Sequence, residues 1–485
     1  MKILITYPPI ESEKGTPLLS QNRQFQYFNN PTFIFPVIPA SAATLLKSKG
    51  YNVLWKDAIV ENLSKEHYLS YLQLEKPDLI ALETKTPVIK KHWQIINEIK
   101  TVLPQTKIVL FGDHVTVFPE ESFKKSKVDF IITGGDYDIS LLSLVNHLNK
   151  KTKLEPGIYY KEKGKIESSG KFKLKHNLDN LPFIDRELTK FNLYQKEFNI
   201  PVRPYAYMMS ARDCWHSQCS FCAWPILYPR FRTRSVNNVL DEIGMLITKY
   251  NVKEIFDDSG TFPIGNWLKE FCEGMISRSY NKKIKISCNM RFNALNEEEY
   301  KLMKKAGFRL LKFGLESANQ ETLDRINKKI RVEDIINGCK LAKKAKLTVH
   351  LTMIVGWPWE TKQKALKTLE LTKKLMTSGL ADVLQATILV PYPGTQLYKE
   401  GLRNKWFLFN PKDYERYDMS EVVFKTPDMK PEEVTNICNS IYKKVFFSPK
   451  YILRHLTKIR SKNDIKYTIR GIKAVLGHIK DFSRK

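Results

Sequence analysis

Along the first 150 residues, short runs of consecutive apolar and β-branched residues alternate with stretches whose apolar positions recur at helical spacing. KILITYPP, NVLWKDAI, LIALETKT, KIVLFGDH and FIITGG read as buried strands, and SAATLLKSKG and IKKHWQIINEIKTVLP as helices between them. Such alternation predicts an α/β fold with a doubly wound, Rossmann-like parallel sheet over residues 1–150. Its ligands belong beyond the strand carboxyl ends, where YPP, ETKT, GDH and GGD fall.

From 151 to 200 the pattern weakens into a linker rich in lysine and glycine, with one hairpin. A second series follows: AYMMSARD, KEIFDDSG, KISCNMRF, LLKFGLES, LTVHLTMIVGW and VLQATILVPY, with helical patterns between. Six such units predict a partial (β/α)6 barrel of TIM type over residues 201–400, with its chemistry at the strand C-termini. Residues 401–485 read as a helical region without solenoid repeat. Ile465, Ile469, Ile472, Leu476 and Ile479 share one helical face there, and the last 36 residues hold 11 Lys/Arg against two Asp, a basic amphipathic tail.

Composition narrows the class. With 42% hydrophobic and 27% charged residues among 485, the chain is globular, neither disordered nor embedded in a bilayer. Its N-terminal apolar run stops at Pro8-Pro9, and no 18 consecutive apolar residues occur, so neither a signal peptide nor a spanning segment is expected. The net charge of +28 favours anionic partners: nucleic acid, phosphorylated substrates or acidic lipid surfaces. Seven cysteines, four of them scattered singly, make no disulfide framework and suit a reducing, cytoplasmic compartment.

Three of the seven, Cys214, Cys219 and Cys222, fall within nine residues in ARDCWHSQCSFCAW, just after the first strand of the second series. A structural zinc site wants four ligands; only His216 is at hand as a fourth, and no second cysteine pair exists. A [4Fe–4S] cluster takes four thiolates, so three would leave one iron open for reaction. Three metal-free buried thiols are disfavoured in a loop with so many polar neighbours.

These residues resemble the radical SAM superfamily, in which three cysteines after the first barrel strand hold a [4Fe–4S] cluster and S-adenosylmethionine (SAM) chelates the open iron. Phe221 matches the aromatic that precedes the last cysteine, near the adenine. The spacing departs from the usual C-x3-C-x2-C, because WHSQ puts four residues in the first gap. DDSGTF with Asp258, CNMRFNAL with Arg291, FGLESANQETLDRINK, IVGWPWET and PYPGTQLY resemble the superfamily's later strand-end signatures, in order. The resemblance implies that Glu316 and Ser317 face SAM, the alternative for Glu316 being a charge neutralised within the barrel, and that Gly356 allows close backbone approach. Arg291 either pairs with the SAM carboxylate or ties strands together.

With the doubly wound domain in front, most of the chain resembles the B12-binding subgroup of radical SAM proteins, the class B methyltransferase-like family. FPVIPASAATLLKSKGYNVLWKDA, IVLFGDHVTVFPEE, VDFIITGGD and LPFIDREL carry that likeness. It implies cobalamin as a third cofactor. The D-x-H-x-x-G pattern of histidine-ligated cobalamin is absent; His114 in GDHVTV sits at a strand end, either approaching a corrin or, the more common role, hydrogen-bonded within its loop.

The implied activity is cleavage of SAM to methionine and a 5′-deoxyadenosyl radical. That radical abstracts hydrogen from an unactivated carbon, for methylation, ring formation or rearrangement. A flavodoxin or ferredoxin type of electron donor is implied, and a small organic molecule or lipid as substrate. The basic tail fits the inner face of an anionic membrane, although the favoured reading is a solvated helix packed on the barrel through its isoleucine stripe. A nucleic-acid-modifying enzyme is disfavoured: no RNA-binding module is apparent, and residues 1–213 contain no cysteine for a second cluster. The rival of another class is a non-catalytic cobalamin- or SAM-sensing protein, which would not need an open iron.

Overall fold

Runs such as LIALET carry apolar side chains toward both faces of a sheet, and in the structure, a computed structural model describing residues 1–19, 25–195, 200–457 and 462–481, both faces are covered. Strands β1 (Lys2–Tyr7), β2 (Asn52–Asp57), β3 (Leu79–Thr84), β4 (Lys107–Gly112) and β5 (Phe130–Ile132) pair in parallel in the order β2-β1-β3-β4-β5. Alternate residues serve opposite layers. Ile3, Ile5, Ala81 and Phe111 pack with the helices Val37–Ser48 and Tyr137–Lys150. Leu4, Leu82 and Leu110 pack with Trp93, Ile96 and Ile99 of the helix Ile89–Val102. The hairpin expected in the linker is present as β6 (Ile158–Glu162) and β7 (Lys165–Ser168), and it extends this sheet antiparallel from β5.

All six runs of the second series are strands: β8 (Tyr205–Met208), β9 (Glu254–Asp257), β10 (Lys285–Met290), β11 (Phe308–Glu316), β12 (Thr348–Val355) and β13 (Val383–Ile388). They pair in parallel in sequence order, as a partial barrel. The connecting helices start at side-chain caps, Ser235, Asn296, Thr361 and Thr395, each accepting from a backbone N–H one turn on.

A buried ion-pair network joins the two halves. Arg212, just ahead of the cysteines, donates to Asp136 Oδ1 at 2.6 Å and to Asp138 Oδ2 at 2.5 Å, and Arg232 adds two bonds to Asp136. Burial opposes ionisation of Asp136, yet Arg212 and Arg232 outweigh it and hold the carboxyl below its ordinary value.

The C-terminal region is helical from Pro431, with helices Pro431–Phe446, Pro449–Leu456 and Lys462–Asp481. The first packs against β13, where Tyr442 Oη bonds both the N–H and the carbonyl of Ala386. The last corrects the sequence expectation for the tail. Ile465, Ile469, Ile472 and Leu476 are about half exposed, and only Ile479 of the stripe packs on the core, together with Val475. A different face touches the molecule, with Gly477 against Asn30 and Arg470 donating to the Pro201 carbonyl. Among the described residues no helix is long and apolar enough to cross a membrane.

Candidate active site

The chain leaves β8, passes Arg212 and enters the cysteine loop, whose backbone needs left-handed residues at Asp213 and Ser217. Its turns are tied to the rim: Cys222 N–H donates to Cys219 O, Ser220 N–H to Ile326 O and Leu397 N–H to Ser220 O. All three thiols then line a cavity of about 320 Å³ inside the barrel mouth, joined by Phe221, Asp258, Arg291 and Glu316. On the opposite side the wall comes from the first domain, through Leu18, Phe28, Thr32, Ile34 and Asp113.

Glu316 owes its position to an irregularity in β11. Gly314 pairs with Thr352 but Glu316 with Met353, and Glu316 has φ of 58°. Its side chain folds back over Gly314, where an added Cβ would lie 2.1 Å from Glu316 Oε1, so a larger residue there would displace the carboxylate. Lys328 donates to that same oxygen at 2.7 Å. Burial disfavours the Lys328 ammonium, but Glu316 and then Cys219 overcome it and raise its pKa. Arg291 donates to the Lys328 carbonyl at 2.6 Å and lies over the Trp215 ring at 5.3 Å, while its Nε is buried with no hydrogen-bond partner.

Burial raises the Cys219 thiol, partly offset by Lys328 and Arg291, and burial raises Cys222 further. This donor set fits an iron–sulfur cluster: three soft ligands converge on one open space, and cations beside Cys219 stabilise thiolates once the protons leave. A zinc site would want a fourth protein ligand beside the three thiols. His216 turns aside, with Nε2 donating to Asn327 O at 2.8 Å.

Not every residue singled out from sequence reaches the cavity. Ser317 is buried against the neighbouring helix, its hydroxyl 3.3 Å from Thr368 Oγ1 and accepting from Asn319 N–H, because the turn that brings Glu316 inward sends the next residue outward. Gly356 has φ of 89° and its N–H donates to Glu360; an added Cβ would meet Val434 of the C-terminal helices, not the cavity. His114 is fully buried, with Nδ1 3.3 Å from Thr86 Oγ1 and Nε2 3.2 Å from Glu121, and it is the adjacent Asp113 that lines the wall. Lys328 escaped the sequence reading. It sits in RINKK, and nothing local separates it from the other Lys/Arg of a chain with 79.

Comparison with known proteins agrees with this geometry. Residues 208–372 match the radical SAM superfamily, a span that starts in β8 and takes in all three thiols. An uncharacterized methyltransferase of Pyrococcus horikoshii is 26% identical over 475 residues, covering 97% of this chain and 98% of its own. The anaerobic magnesium-protoporphyrin IX monomethyl ester cyclase of Rubrivivax gelatinosus is 26% identical over 459 residues, covering 91% and 78%. The radical S-adenosylmethionine methyltransferase TsrM from Kitasatospora setae, solved with cobalamin and a [4Fe–4S] cluster, superposes with a TM-score of 0.70 over 99% of both chains. Its identity of 14% establishes a shared fold. This chain thus carries a radical SAM domain over residues 208–372, on the barrel that holds the thiols, behind a doubly wound domain in a fold it shares end to end with TsrM.

Proposed function

We propose that this radical SAM enzyme is a cobalamin-dependent methyltransferase acting on an unactivated carbon of a small organic or lipid substrate. The observation that carries the reading is the shared cavity: three thiols on the barrel side face the strand ends of the doubly wound domain across one space. When bound, a cluster on these thiols supplies the electron that cleaves SAM, and a corrinoid against the first domain supplies the methyl group. The protein's own part is placement. Lys328 fixes the Glu316 carboxylate at the rim, where it can accept from an ammonium group, and Arg291 offers its unpartnered Nε to a carboxylate. Phe221 stands edge-on to the buried Trp357 at 5.4 Å and gives the thiol loop an apolar flank that excludes water.

The test is metal and product analysis after anaerobic production in a cobalamin-replete host. The expected result is about four irons per chain with a stoichiometric corrinoid, and transfer of labelled methyl from SAM to substrate. Iron without cobalt would overturn methyl transfer through cobalamin and favour ring formation, the chemistry in the name of the Rubrivivax relative.

Peripheral contact with an anionic membrane has its own support. Ile452, Leu453, Leu456, Ile465, Ile469 and Leu476 are exposed on the last two helices, in a segment where Lys/Arg outnumber Asp 11 to two. Apolar insertion plus attraction to acidic headgroups is how such helices bind. Deleting residues 450–485 is expected to lower binding to anionic liposomes, and unchanged binding removes the membrane from the reading. An electron donor of flavodoxin or ferredoxin type completes the set of partners.

A further inference from the structure

Strand β11 breaks register with its neighbours twice. The irregularity at Gly314 delivers Glu316 to the rim. The other lies at the opposite end, where Ile286 pairs with Phe308 and Ser287 with Leu310, leaving Arg309 as an additional residue. Bulges re-aim side chains, and here both Arg309 and Leu310 line the cavity. Arg309 Nε donates to the buried Glu254 at 2.7 Å. One step nearer the mouth, Lys312 lies level with His350 of β12 and reaches across that strand to Gln385 Oε1 of β13, at 3.0 Å.

His350 lies on the cavity wall, 3% exposed, and its Nε2 has no hydrogen-bond partner. Burial first, then Lys312 and Arg309, push its pKa well below the ordinary value, so the ring is neutral with a polar nitrogen unused. The floor of the barrel thus gathers Lys312, the Arg309 guanidinium in its ion pair with Glu254, and an unpartnered imidazole nitrogen among Phe256, Leu310 and Leu384. A buried nitrogen without a partner is costly, and a ligand carrying anionic oxygens supplies both the missing hydrogen bond and counter-charge.

We propose that this floor is an oxyanion subsite, in which Lys312, Arg309 and His350 hold a carboxylate or phosphate of the substrate while its reacting carbon points up toward the cysteine loop. Calling the ligand a substrate rests on the function proposed above; the anion site itself does not. Strand β11 then serves both ends of the reaction chamber, cations at the floor and Glu316 at the rim.

The experiment is histidine-selective 15N NMR on the full chain, titrated separately with inorganic phosphate and with acetate. His350→Phe assigns the ring signal. A saturable shift of the His350 Nε2 resonance is expected; a response to phosphate alone or to acetate alone says which oxyanion the floor takes. Lys312→Met is expected to weaken that binding about ten- to a hundredfold, and Lys312→Arg, which keeps charge and fold, to retain most of it. No shift with either anion, or a shift indifferent to Lys312→Met in a folded variant, overturns the subsite. Formation of 5′-deoxyadenosine by the iron-loaded wild type is followed in parallel without added anion. Its absence would sink the enzymatic reading while leaving the anion result standing.

Discussion

At the carboxyl ends of β1, β3 and β4, Glu83 accepts from Tyr7 and, at 2.8 Å, from Tyr137, and His114 has a partner at each ring nitrogen. Across the cavity, on the barrel wall, Arg291 Nε just after β10 and His350 Nε2 near the start of β12 are buried without partners, and three thiols stand without a bonded cysteine. Both walls belong to parallel strands flanked by helices; Glu83 and His114 are closed on protein partners, although His92 Nε2 beside Thr84 is buried without one, while Arg291 and His350 line the cavity with a nitrogen left open. A polar group closed on its neighbours holds a wall in place; a buried one left open awaits a ligand. The open groups therefore lie on the barrel side of the cavity, and the first domain contributes the facing wall.

The largest effects are expected at the cysteines. Cys219→Ala is expected to abolish cluster incorporation and 5′-deoxyadenosine formation. Cys288→Ala, in the barrel core, is expected to keep iron and cost about 1 kcal/mol. Iron analysis beside thermal unfolding separates the two, and equal iron loss from both would mean that the open rim has no special standing. Next comes the lock between the rims. Arg212→Met strands Asp138 in a buried site and leaves Asp136 to Arg232 alone, and a loss of about 3–5 kcal/mol in chemical denaturation is expected. A loss below about 1 kcal/mol would show that the two halves are not held by this network.

A smaller, pH-dependent effect marks the IVGWPWE turn. Burial pushes the Glu360 carboxyl from its ordinary value of 4.5 up to about 8, against opposing hydrogen bonds from Gly356 and Trp357 N–H. The folded protein therefore keeps a proton that the unfolded chain releases, and this group's contribution is present in full below pH 4.5 and is lost as pH rises through about 8. Glu360→Gln is expected to flatten that slope in stability measured from pH 5 to 9; an unchanged slope would place the carboxyl in solvent contact. The smallest effect is expected at the closed rim. His114→Phe should leave cobalt content unaltered, because both nitrogens are already engaged. A large fall in cobalt would mean that this rim opens to ligate it.

Much of this was legible in the residues. The five runs of the first sheet and the six of the barrel are all strands, since a continuous buried run between helices has one low-energy home. The cysteine loop was legible because three thiols in nine residues have few other uses. What could not be read was direction. Glu316 and Ser317 look equivalent in FGLES, and only the register break of β11 turns one toward the cavity and the other toward Thr368. Lys328 needed the same tertiary information: its partner Glu316 is 12 residues away, and its burial comes from the barrel closing around it. The isoleucine stripe of the tail shows the reverse error, a helical face correctly identified whose partner surface was assumed.

Apolar periodicity and ligand spacing are local properties of the chain, so the two α/β layers, their order, the thiol loop and the amphipathic end are written in the residues alone. Tertiary structure decided which polar groups were satisfied and which were left open, where β11 slips against its neighbours, and which helix face meets solvent. Those outcomes depend on atoms brought together from distant positions, where a shift of one residue in register exchanges a cavity wall for a core contact.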